Sequence, residues 1–97
     1  MSRPLTDALA HRDVVLRAFI GADGRLSSIP TRLTKRLVIL DHIAQALKPG
    51  VRYTEAEVND VMHRFHPDHA ALRRYLVENE FLERDAGTYW RAGGTTA

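Results

Sequence analysis

The chain contains no cysteine, which excludes a disulfide, a thiolate nucleophile and a thiolate metal ligand. A reducing cytoplasm fits that absence. No apolar run approaches the roughly 20 residues that span a bilayer; the longest, LVIL at residues 37–40, lies between Arg36 and Asp41. The opening MSRPLTDALAHRD has neither the apolar core nor the cleavage site of a secretory signal, so no targeting segment and no membrane partner are expected. Catalytic signatures are missing too. There is no G-x-S-x-G, no paired-acid pattern and no phosphate loop, and Gly21 and Gly24 are too isolated to cradle a phosphate. The sequence reads as a non-enzyme without a cofactor.

What remains is 97 residues of ordinary globular composition, enough for one small domain. The net charge of +2 is uninformative, but its distribution is not. Residues 24–53 hold six basic side chains against Asp41, giving +5, whereas residues 54–80 hold three arginines against six acids, giving −3. A basic segment therefore precedes an acidic one, and any nucleic-acid reading has to account for both.

Residues 7–20 read as a helix that Thr6 or Asp7 can cap, with Leu9, Leu16, Phe19 and Ile20 near one face and GADG stopping it. RLSSIP follows as a short extended piece. A second helix is marked by Leu33, Leu37, Leu40, Ala44 and Leu47 at spacings of 4, 3, 4 and 3, and Pro49-Gly50 ends it. VRYT at 51–54 is a strand candidate. Thr54 and Glu57 then form a capping box for a third helix, with Val58, Val61, Met62 and Phe65 on its apolar face. Pro67 turns the chain at FHPD into a fourth helix over about 67–79. FLER and TYWR around DAG make a β-hairpin at 81–91, and the tail 92–97 is expected to fray.

The expected fold is mainly α with a small β-hairpin: a winged helix-turn-helix over 25–91, preceded by an N-terminal helix and turn at 1–24 that could dimerise. GRLSSIPTRLTKRLVILDHIA, RYTEAEVNDVMHRFHPDHAALRRYLVENEFLER and GTYWR resemble the prokaryotic domain-of-unknown-function family 2087 over about residues 19–91. That family occurs alone or behind separate helix-turn-helix modules in transcriptional regulators, so the resemblance implies a regulatory setting. More distantly, AALRRYLVENEFLER is similar to the recognition-helix segment of DeoR-type regulators, with Arg73 and Arg74 matching an arginine pair. Ala71 stands where that pattern has a hydroxyl residue, which removes one phosphate contact.

The stretch HRFHPDHAALRRYL holds His63, His66 and His69, then Arg73 and Arg74. Three histidines around a proline corner do not form a compact structural zinc pattern, and no metal is assigned. The bland alternative has His66 capping the corner and the other two facing solvent. Arg73 and Arg74 should project outward from the fourth helix, either toward guanine edges and phosphates or toward acids such as Glu78, four residues beyond Arg74. The other candidate nucleic-acid contacts are His69, Arg84 and Arg91 at the wing, and Arg32, Lys35 and Arg36 at the start of the second helix. Of Tyr89 and Trp90, which alternate across a strand, the tryptophan is the expected core residue. The function expected is a homodimeric transcriptional regulator binding double-stranded DNA. The alternative is a winged-helix module that senses or binds a protein partner without reading DNA.

Overall fold

The computed structural model describes residue 5 and residues 8–95. Among these lie four helices, α1 (Arg12–Phe19), α2 (Leu33–Ala44), α3 (Glu55–His63) and α4 (His69–Glu78), and three strands, β1 (Tyr53–Thr54), β2 (Leu82–Asp85) and β3 (Thr88–Arg91). The expected caps Thr6 and Asp7 lie outside the described residues.

The helix expected over 7–20 is interrupted: Ala8 and Leu9 are helical, a turn follows at Ala10 and His11, and α1 then buries Val15 with Leu16, Phe19 and Ile20 half-covered. RLSSIP is not a strand. It makes one isolated bridge, Ile20 to Leu26, and then bends. Its role is to close the end of α3. The Leu26 amide donates to the Phe65 carbonyl, and Arg25 Nη1 donates to the carbonyls of His63 and Arg64, both at 3.1 Å. These bonds satisfy acceptors that a helix end leaves unpaired.

α2 is the centre of the core. Val38, Ile39, Leu40, Ile43 and Ala44 are fully buried, so its apolar surface is wider than one stripe. Leu33, the first residue of the expected stripe, is 49% exposed because the core does not extend beyond the first turn. The helix ends at Ala44, before Pro49. Tight bonds from the amides of Ala46 and Leu47 to Ile43 and Ala44 then swing Leu47 inward.

α3 starts at the capping box read from the sequence. The Glu57 amide donates to Thr54 Oγ1 at 3.1 Å, and the Thr54 amide donates to Glu57 Oε1 at 2.9 Å. Those bonds hold the Glu57 carboxyl below its ordinary pKa, chiefly through the Thr54 amide. α4 begins two residues later than Pro67. Asp68 is its N-cap, accepting from the Ala71 amide at 3.1 Å, and the Asp68 amide in turn donates to His66 Nδ1 at 3.0 Å. Two bonds therefore set the α3–α4 corner.

β2 and β3 form a hairpin whose turn is Ala86-Gly87, with φ of 50° and 81°. Two positive φ values give the hand of turn that matches strand twist, and glycine carries the second at no steric cost. The hairpin is not alone. β1 pairs with β3, Tyr53 opposite Tyr89, giving a three-stranded antiparallel sheet in the order β1-β3-β2. Tyr89, not Trp90, is the strand's core residue: it is 1% exposed, whereas Trp90 lies half-buried on the outer face with the Arg52 guanidinium 4.4 Å from its ring. Tyrosine can sit inside because its hydroxyl finds an acceptor, the Glu55 carboxylate at 2.9 Å.

Residues 92–95 do not fray. The Ala92 amide donates to the Phe81 carbonyl, Arg91 donates to the carbonyls of Gly93 and Thr95, and the Thr95 amide donates to Asp41 Oδ1 at 2.6 Å. Asp41 is fully buried and also accepts from Arg12 at 3.2 Å. One carboxylate thus ties α1, α2 and the carboxyl-terminal segment together. No helix among the described residues is long and apolar enough to cross a membrane.

His42 follows Asp41, with its ring edge-on to Phe65. Burial, then the Arg12 guanidinium, lower its pKa from the ordinary 6.5, and Asp41 opposes them. The folded chain therefore binds fewer protons here than the unfolded chain. The stability linked to this group is complete above 6.5 and is lost as pH falls below it. The thermal midpoint should drop between about pH 7.5 and about pH 5.5, and by less in His42→Gln. An equal drop in both proteins would place the effect elsewhere.

Candidate nucleic-acid interface

Eight side chains were singled out by sequence, and the structure sorts them into groups. Arg73, Arg74 and Arg84 line one concavity of about 280 Å³ between α4 and the hairpin, with Ala70, Val77, Glu78 and Tyr89 completing its walls. α4 contributes the first two because Leu72 and Leu76 are fully buried, which turns the intervening residues away from the core. Arg84 comes from β2, its guanidinium carbon 5.9 Å from the Tyr89 ring centre.

The two neighbouring arginines of α4 differ. Arg74 is open, its side chain 62% exposed, with Nε 3.7 Å from Glu78 one turn on. In exposed positions such a pair contributes about 0.3–0.5 kcal/mol. Arg73 does not project freely, as its place on the helix suggested. Its side chain is 22% exposed, one Nη donates to Asn59 Oδ1, and the other lies 3.8 Å from Glu55 Oε1. Packing of α3 against α4 brings that carboxylate and amide within reach of it.

Arg36 joins this region from α2. Its guanidinium carbon lies 4.6 Å from the centre of the Tyr75 ring, which also has Arg74 at 5.4 Å. The same group donates to the Thr31 carbonyl at 3.1 Å. Tyr75 therefore links the basic start of α2 to Arg74 of α4. Arg32 and Lys35 stand exposed beside a separate shallow hollow with Phe19, Ile29 and Pro30.

Two further candidates fall outside the group. Arg91 sits at the foot of the hairpin, not beside its turn, and is spent on the carbonyls of Leu47, Gly93 and Thr95. His69 is half-buried with its ring 5.7 Å from that of exposed His63, edge to face. Among the described residues no three His, Cys, Asp or Glu side chains are grouped to hold a metal ion. Sequence reasoning missed Glu55, Asn59 and Tyr75, whose roles depend on neighbours 14 or more residues away for the first two and on the α2–α4 contact for the third. No local pattern signals them.

The family model for DUF2087, described as an uncharacterised protein conserved in bacteria, matches residues 25–91, well over half of the chain. The chain belongs to this family. No curated protein and no solved structure matches it. The DUF2087 match begins at Arg25, the residue that closes α3, and ends at Arg91, which anchors the hairpin's foot. It thus contains α2, α3, α4, the whole sheet and every side chain of the concavity, while α1 precedes it.

Tyr89, at the floor of the concavity, has its pKa raised, first by burial and then by donating to Glu55. It remains a neutral donor at ordinary pH. The concavity therefore offers three guanidiniums, one of them already committed to acceptors on α3.

Proposed function

We propose that the DUF2087 domain of this chain is a winged helix-turn-helix that binds double-stranded DNA, with α4 as recognition helix and β2–β3 as the wing. The order helix, strand, helix, corner, helix, hairpin, with β1 added to the hairpin, supports that architecture. The observation that carries the function is the convergence of Arg73, Arg74 and Arg84 from two elements on one concavity. Guanidiniums in that arrangement suit phosphate oxygens, which supply much of the affinity for a duplex. The Arg36–Tyr75–Arg74 contact extends the basic surface toward α2. A homodimer through the amino-terminal helix, whose Val14 is 67% exposed, would double the contacts.

Fluorescence anisotropy with a random duplex tests this. Arg74→Ala with Arg84→Ala should weaken binding roughly tenfold or more and reduce the salt slope by about two. Its thermal midpoint should stay close to that of the parent, since both side chains are exposed. Affinity that ignores salt or the double substitution would discard the reading.

The outer sheet face favours a second reading, a protein-interaction module. Trp90 is half-exposed there under Arg52, and Val51, which precedes Arg52 in the chain, is 39% exposed. Such an amphipathic aromatic group is suited to a protein contact. Absence of duplex binding at low salt would favour it.

A further inference from the structure

We propose that Glu55 acts as an internal stand-in for a phosphate, withholding Arg73 from anionic ligands and so setting the affinity of the concavity. This rests on the DNA-binding reading above. A carboxylate offers a guanidinium a planar pair of acceptor oxygens, much as a phosphate does. Here Glu55 Oε1 lies 3.8 Å from Arg73 Nη2, and the Asn59 amide oxygen takes the other Nη. Both terminal nitrogens of Arg73 are thus directed at α3.

The carboxylate is itself positioned. Glu55 is the first residue of α3, where a helix favours negative charge. The capping box uses Glu57, which leaves Glu55 free to turn toward α4. The Tyr89 hydroxyl, from the floor of the concavity, donates to the same oxygen at 2.9 Å. Yet Glu55 remains 53% exposed, so solvent ions and an arriving phosphate can compete with it. The −3 charge of residues 54–80 therefore does not oppose DNA binding only at a distance. One of those acids occupies the guanidinium that a phosphate would use.

Glu55→Gln removes the charge while keeping the shape and an amide oxygen for Tyr89. With a random duplex it should bind about threefold to tenfold more tightly than the parent. Its salt slope should steepen by about one, the signature of one added phosphate contact. Arg73→Ala should abolish the gain in the Glu55→Gln background, a cycle that isolates this pair. A gain that survives Arg73→Ala would reflect net charge alone and would overturn the proposal. Glu55→Gln binding no tighter than the parent would overturn it while the DNA reading stands. If neither protein binds duplex at low salt, both fall.

Discussion

Asp41→Ala is expected to lower the thermal midpoint by roughly 10–20 °C, the largest effect of any polar substitution in this chain. Asp41 is fully buried, accepts from Arg12 and Gln45 through one oxygen, and accepts from the Thr95 amide through the other. Removing it leaves a guanidinium and a backbone N–H without their acceptor. Breaking a buried pair costs about 3–5 kcal/mol when both partners are enclosed. Arg12 is one-third exposed and can turn to water, so about 2–4 kcal/mol is the better expectation here. Asp41→Asn keeps the shape and some of the acceptors, and should fall between the two. Scanning calorimetry of both variants decides the point. A change of only a degree or two in Asp41→Ala would mean that α1 and the 92–95 segment do not depend on this carboxylate.

Phe81→Ala should be comparably severe, at about 3–5 kcal/mol. Phe81 is 2% exposed and stands where α4 gives way to the hairpin. Its amide donates to the Leu76 carbonyl, and its own carbonyl accepts from Ala92. Gly94 passes so close that a Cβ there would lie 3.0 Å from the ring and 2.9 Å from Asp41 Oδ1. The ring thus fills the space between α4, the hairpin and the returning tail, and none of these can move in to fill a cavity without breaking a hydrogen bond. Small domains are typically stable by about 5–15 kcal/mol, so this loss would unfold a substantial fraction at modest urea. Phe81→Leu should cost less. Urea titrations that superimpose for Phe81→Ala and the parent would show that the site collapses freely.

How far the sequence could be read depended on whether the deciding contact was local. The Thr54–Glu57 box, the FHPD corner and the Ala86-Gly87 turn were legible because each involves residues within a few positions of one another. The choice between Tyr89 and Trp90 was not. Alternation assigns the two rings to opposite faces, but only the Glu55 carboxylate on α3 makes the interior habitable for a phenol. β1 was read as a strand, yet its partner is β3, more than 30 residues on, and no spacing announces that pairing.

The site divides along the same line. Helical period correctly turned Arg73 and Arg74 away from Leu72 and Leu76. It did not separate the two, because the difference arises from α3, which lies beside one and not the other. Arg91, at the end of TYWR, looked like a wing contact because it flanks the hairpin turn in sequence. The returning tail supplies the carbonyls that claim it.

The meeting of Arg12 and Thr95 on Asp41 has an architectural corollary. The leading helix and the trailing segment come to one place on the body, as the two cords of a pendant come to one ring. A module joined ahead of α1 or behind the 92–95 segment would be suspended from neighbouring points, since Leu5 also lies beside Gly93 and Gly94. Linker length, not the choice of end, would then govern how far such a neighbour could swing around the domain.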